Sequence, residues 1–233
     1  MNIEISQVYT EYLDIIANYN KILKIRNNYL KEKNIDSNYL DVITDKLTEI
    51  SIQIYLIRNK YIQRINDHIS KIYKDLAETN GLKINYKTSI DIDFKNTDNL
   101  KDKLKDFYNS KLENDIKYGT TRYGPHKDDF EFTVNGRNLK FFGSQGQQRM
   151  AILAFKLSEI EILLKYKNKK PIILLDDVFS ELDLYKKNNL LKFLDRELQI
   201  IITTTDLGNI DKKIIEKARN YKIENGTYIE EVE

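Results

Sequence analysis

The sequence predicts an α/β protein carrying a long helical extension, and three observations predict it. Apolar side chains recur at helical spacing through the first 80 residues, and after Gly81 strand-like and helix-like segments alternate. Only two prolines and eight glycines interrupt 233 residues, which favours long uninterrupted helices. With 41% apolar and 32% charged residues, the chain has material for a packed core and a heavily charged surface. No run of 18 apolar residues exists, so no membrane span is expected. The N-terminus lacks the basic start and apolar core of a signal peptide. The absence of cysteine excludes disulfide scaffolds and thiolate metal sites, and fits an intracellular protein. Net charge is only +2, so any nucleic-acid face must be a local patch. The tightest basic cluster, Lys165, Lys167, Lys169 and Lys170, also reads as the solvated C-terminus of a helix.

In the first segment, 12–31, Tyr12, Ile15, Tyr19, Ile22 and Leu30 form a helical stripe. After a polar interruption, Leu40, Ile43, Leu47, Ile50, Ile54, Ile57 and Tyr61 alternate three-four spacing, which is a coiled-coil seam. The spacing becomes four-four through Ile65 to Ile69, then three-four to Ile72 and Leu76, an insertion that locally unwinds such a seam. At 1.5 Å per residue the second helix is about 57 Å long. The expectation is an antiparallel helix pair projecting as an arm over 1–80, with an ordinary packed helical subdomain as the other reading. Residues 82–94 alternate like a strand, and 98–117 return to a helix. FEFTV, Asn135-Gly136 and RNLKFF read as a β-hairpin, since Asn-Gly favours the tight two-residue turn. Then follow a helix from Ser144 to about Tyr166, a buried strand at 172–175, a helix near 184–196, and a strand at 200–203. A helix near 209–218 and a last hairpin at Asn225-Gly226 complete the chain, so 81–233 is expected as one α/β region.

Two stretches carry chemistry. Ser144 and Gln147 make a Ser-x-x-Gln capping box that opens a helix, and Gly143 and Gly146 admit close backbone approach. Unpaired N–H groups at that helix start suit a phosphate oxygen, although a capping box alone often does no more than start a helix. In PIILLDDVFSELD an apolar strand ends in Asp176 and Asp177, placing two carboxylates where α/β sheets bind ligands. The first suits Mg²⁺, usually through water, and the second suits the orientation of an attacking water. A capped helix start is the plainer reading of the acidic pair.

FGSQGQQR at 142–149, LLDDVFSELD and the TTTD at 203–206 together resemble the C-terminal half of an ABC-type ATPase head, a P-loop NTPase fold. GTTRYGPHKDD at 119–129 and the run SQVYTEYLDIIANYNKILKIRNNYLK resemble the RecF family of bacterial recombination-repair proteins. That resemblance covers nearly the whole chain. It implies that Ser144, Gln145, Gly146 and Gln147 form the signature capping the γ-phosphate of ATP held by a second protomer. It implies that Asp176 is the Walker B ligand of Mg²⁺ and that Asp177 occupies the catalytic-base position. Asp177 is Asp where wider ABC ATPases use Glu, so its oxygens sit one methylene further back. Ser180 to Asp183 would be the D-loop, and Thr204 and Thr205 would occupy the switch position, where many relatives carry His. His126 and Lys127 stand in the GPHKDD turn, readable as turn-stabilising or as close to nucleotide or DNA.

By the same resemblance the intact protein is a cytoplasmic, slow ATPase that dimerises around ATP and clamps duplex DNA near single-strand gaps. It would help load a recombinase, with RecR and RecO as partners. An SMC-like head and a non-catalytic coiled-coil module are the other readings. No G-x-x-x-x-G-K-[ST] occurs: Gly119 and Gly124 have the separation, but Pro125 and His126 follow. In the family that loop precedes the arm, so this chain is expected to begin after it. Alone it should bind ATP weakly and show no turnover in a phosphate-release assay; turnover that Asp177→Asn abolishes would contradict this.

Overall fold

The computed structural model describes residues 1–167, 170–194, 198–205, 215–216 and 218–231. The chain divides into two compact units, Met1–Lys74 with Thr79–Asn168, and Asp75–Glu78 with Lys169–Glu233. The separation therefore falls at 168 rather than at 80. Within the first unit the long helix is bonded to residues after Gly81, through Asn66 and Ile84.

The first unit opens with α1 (Asn2–Val8), α2 (Tyr12–Tyr29) and the 41-residue α3 (Ser37–Ala77). The seam anticipated on α3 is buried at Leu40, Ile43, Leu47, Ile54, Tyr61, Ile65, Ile69, Ile72 and Leu76. Thr44, Thr48, Ser51, Tyr55, Arg58, Ile62 and Tyr73 are buried too, so the covered face is wider than a two-residue-per-heptad seam. α3 accordingly buries a broad face within this unit along most of its length.

β1 (Leu82–Lys87) and β2 (Asp129–Val134) pair antiparallel, and β3 (Arg137–Asn138) adds two residues to the far side of β2. Asn66 of α3 closes the other side of β1. Its amide nitrogen donates to the Ile84 carbonyl at 2.8 Å and its oxygen accepts the Ile84 N–H at 2.9 Å. The anticipated turn is present: Asn135 and Gly136 have φ of 49° and 78°, the left-handed pair a two-residue hairpin requires. The strand predicted for RNLKFF stops after Asn138, because the Asn138 side chain accepts the Lys140 N–H at 2.8 Å and caps α6 (Leu139–Phe142). Likewise 82–94 is a strand only to Lys87, and 98–117 divides into α4 (Leu100–Ser110) and α5 (Leu112–Tyr118). α7 (Gln145–Lys167) closes the unit.

Two buried arginines hold these elements together. Arg26 Nη1 of α2 meets Asp115 Oδ2 of α5 at 2.8 Å and donates to Thr121 Oγ1 at 2.6 Å. Arg58 of α3 donates to the Tyr12 hydroxyl at 2.9 Å, to the Pro125 carbonyl at 2.6 Å and to Asp128 Oδ2 at 3.4 Å. Asp128 is held further by the Tyr86 hydroxyl at 2.5 Å and the Ser89 N–H at 2.8 Å.

The second unit holds β4 (Ile173–Asp176), α8 (Leu184–Leu194), β5 (Ile200–Thr203), β6 (Asn220–Glu224) and β7 (Thr227–Glu231). β4 and β5 run parallel, with Asp176 opposite Thr203. A short 3-10 helix (Val178–Glu181) follows β4. β6 and β7 form the hairpin expected at Asn225-Gly226. The strand expected as wholly buried alternates instead: Ile173 and Leu175 are covered, while Ile172 and Leu174 are exposed. The helix expected near 209–218 falls almost entirely outside the described residues.

Removing one partner of a buried ion pair strands the other charge in a low-dielectric site, at a cost of about 3–5 kcal/mol. Asp115→Ala should therefore lower unfolding free energy by about that amount in urea titrations, whereas Arg26→Met with Asp115→Leu should recover much of it.

Candidate nucleotide site

The Ser144 turn is built as the sequence predicts. The Gln147 N–H donates to Ser144 Oγ at 3.2 Å, and Gln147 Oε1 accepts the Ser144 N–H at 3.0 Å. This reciprocal pair is the capping box. Ser144, Gln145, Gly146 and Gln147 are all exposed, so the helix start opens to solvent. A residue of the motif not singled out in the sequence fixes the turn: Gln148 Nε2 donates to the carbonyls of Leu139 at 3.0 Å and Gly143 at 3.2 Å. Gly143 closes it, since a Cβ there would stand 2.7 Å from the Leu139 carbonyl oxygen. The turn is rigid because these bonds close it on itself; the capping box uses the Ser144 and Gln147 N–H groups and leaves those of Gln145 and Gly146 at the exposed start of α7.

In the second unit Asp176 and Asp177 are exposed at the carboxyl end of β4. Thr203 joins them: its hydroxyl donates to Asp176 Oδ1 at 2.5 Å and accepts the Asp177 N–H at 3.0 Å, and its carbonyl accepts the same N–H at 3.2 Å. Asp177 has φ 48° and ψ 25°, a left-handed conformation Asp tolerates better than most residues, which ends β4 and turns the chain into the 3-10 helix. The parallel register that sets Asp176 against Thr203 is what brings the hydroxyl there. Thr203 was not singled out in the sequence, where attention fell on Thr204 and Thr205. Its signal is that two apolar strands of equal length both end in a polar residue, which parallel pairing then aligns.

Thr204 is half-buried and Thr205 exposed, one and two residues beyond β5, while Asp206 lies outside the described residues. Asp183 begins α8: its carboxylate accepts the Lys186 N–H at 2.9 Å and binds the Lys186 ammonium, which holds its pKa below the ordinary value. Asp183 is thus a helix cap. The Ser180 side chain lies outside the described residues. Among the described residues no three acidic or histidine side chains gather closely enough to hold a metal. Asp176 fits a hydrated Mg²⁺, which keeps most of its waters and takes one or two carboxylates plus phosphate oxygens.

His126 is a structural residue of the GPHKDD turn. Its Nδ1 lies 2.6 Å from the Tyr19 hydroxyl and its Nε2 lies 3.0 Å from the Thr121 carbonyl, so Nε2–H donates and Nδ1 accepts. Gly124 has φ 130°, and a Cβ there would meet the hydroxyls of Tyr19 and Tyr108 within 2.9 Å. Lys127 is exposed beside it.

No family model matches the chain. Comparison with curated proteins finds it 34% identical over 233 residues to the DNA replication and repair protein RecF of Shouchella clausii, covering 97% of this chain and 63% of the relative. It is 38% identical over 234 residues to the RecF of Lactobacillus gasseri, again covering 97% and 63%. A solved structure of the recombination mediator protein RecF-ATPrS in the RecFOR pathway superposes with a TM-score of 0.82 at 32% identity. That match covers 98% of this chain and 61% of the other. A second, of RecF-ATP, gives a TM-score of 0.82 at 31% identity. The chain therefore spans less than two thirds of the length of the relatives it matches.

Burial pushes the His126 imidazole below its ordinary pKa, while the Thr121 carbonyl bond acts the other way. Below pH about 6.5 the unfolded chain then takes up a proton before the folded chain does, so stability falls as pH drops from there toward the folded pKa. Urea midpoints at pH 8 and pH 5 should differ more in the parent than in His126→Gln; equal differences would show that His126 carries none of this dependence.

Proposed function

Because the chain belongs to the RecF family, we propose that it forms the part of an ATP-gated, DNA-binding recombination mediator that carries the signature and Walker B elements. What supports the reading is that both chemistry-bearing turns are rigidly built yet open to solvent. Ser144 heads a 23-residue helix with its capping box formed, and Asp176 is oriented by Thr203 at the end of a parallel strand. The relatives' longer chains leave room for the phosphate-gripping loop that these residues lack.

In this reading the α7 N-terminus, with Ser144, Gln145, Gly146 and Gln147, caps the γ-phosphate of a nucleotide held by a second protomer. Its N–H groups and partial positive charge favour the phosphate oxygen. Mg²⁺ neutralises charge on the phosphates, and Asp176 would hold it through water. Asp177 orients the attacking water from one methylene further back than a Glu, which suits a slow hydrolase whose nucleotide serves mainly to join two subunits. Asp183, with Ser180, crosses the interface as the D-loop, and Thr204 and Thr205 stand at the switch position. The intact protein then retains duplex DNA near single-strand gaps as a dimer and helps load a recombinase together with RecR and RecO. A projecting coiled-coil module is disfavoured, because α3 buries a broad face within the first unit.

The test is Ser144→Arg in the protein at its relatives' full length. ATP-dependent dimerisation, followed by sedimentation velocity, should weaken at least about tenfold, while a fluorescent ATP analogue should still bind the monomer. Dimerisation equal to the parent's would reject the reading.

A further inference from the structure

We propose that Thr203 is the positioning residue for the acidic end of β4. Its hydroxyl proton aims Asp176 at a hydrated divalent cation, and its hydroxyl oxygen holds the backbone from which Asp177 projects; the proposal rests on the Mg²⁺ reading of Asp176 above. One hydroxyl makes both contacts, donating to Asp176 Oδ1 at 2.5 Å and accepting the Asp177 N–H at 3.0 Å. Among short side chains only Thr and Ser can donate and accept through one oxygen in this way. The parallel register, with Asp176 opposite Thr203, puts that oxygen in place.

Folding requires neither bond. Asp176, Asp177 and Thr203 are all exposed, so water can satisfy the carboxylate and the hydroxyl. The Asp177 N–H already has a backbone acceptor, the Thr203 carbonyl at 3.2 Å. What the hydroxyl adds is direction. With Oδ1 held, the Asp176 carboxylate no longer turns freely about its side-chain torsions, and Oδ2 is the oxygen that Thr203 does not engage. A cation that insists on octahedral geometry and keeps most of its waters gains from a ligand fixed in advance, because ordering a loose side chain costs part of the binding free energy. The bond to the Asp177 N–H acts on the neighbouring position. It steadies the left-handed backbone, φ 48°, that sets where the second carboxylate leaves the chain.

The experiment titrates a fluorescent ATP analogue, with and without Mg²⁺, into the protein at its relatives' full length. The ratio of the two dissociation constants isolates what the metal contributes. In the parent Mg²⁺ should tighten binding, and Asp176→Asn should lose most of that gain. Thr203→Val keeps the β-branched shape without the hydroxyl, and should shrink the ratio about three- to tenfold with the metal-free constant unchanged. Thr203→Ala should do the same, while Thr203→Ser should stay within about twofold of the parent. Metal-free binding weakened by the same factor as binding with Mg²⁺ would mark a merely structural role and overturn the proposal. A ratio within about twofold of the parent's in both Thr203→Val and Thr203→Ala overturns it too. If Asp176→Asn loses the ratio in that case, the Mg²⁺ reading stands and only the part given to Thr203 fails. If Asp176→Asn keeps the parent's ratio, the Mg²⁺ reading fails and the proposal with it.

Discussion

The Arg58 guanidinium is the point on which the first unit depends. Sitting in the middle of α3, it reaches the Asn2 amide oxygen, the Tyr12 hydroxyl, the Pro125 carbonyl, the Tyr86 hydroxyl and the Asp128 carboxylate. It therefore joins α1, α2, β1 and the turn before β2 through one side chain. A charge taken out of water is tolerable only when its donors are satisfied and a counter-charge lies near. Here the planar fork of arginine does both, which a lysine could not. Asp128 meets the same demand with the Tyr86 hydroxyl and the Ser89 N–H. Arg26 joins α2 to α5 through Asp115 and Thr121.

This arrangement explains why the GTTRYGPHKDD stretch is so dense in polar residues. It is a junction where helices and a strand converge, and several of its polar groups are used in holding that junction. Thr121 receives Arg26, the Pro125 carbonyl receives Arg58, His126 bridges Tyr19 and Thr121, and Gly124 leaves space for two tyrosine hydroxyls. The Ser144 turn follows a different logic. Its internal bonds use local acceptors and two of the N–H donors, and leave those of Gln145 and Gly146 at an exposed helix start. The acidic end of β4 is organised likewise, by a strand neighbour that fixes one carboxylate and the following backbone.

The capping box, the acidic strand end and the two Asn-Gly hairpin turns were legible in the sequence because each is decided within a few residues. A serine three positions before a glutamine satisfies its own helix start, and an Asn-Gly pair supplies its own left-handed turn. Where the sequence misled, the deciding contact came from far along the chain. α3 carries a seam that suits a free coiled coil, yet Arg58 and Asn66 on its flanks bind a turn and a strand from beyond Gly81. RNLKFF has strand composition, but Asn138 captures the next turn's N–H and makes a helix instead.

Amphipathic period, capping residues and the bare order of polar and apolar residues thus determined the elements and the two chemical motifs. Only the tertiary structure decided that the long helix buries a broad face, that both ring nitrogens of His126 are bonded, and that Thr203 steadies Asp176. Local propensity acts over a few bonds and is written in neighbouring residues. Burial of a charge, or the register of two parallel strands, depends on partners tens of residues away, and no short window of sequence contains them.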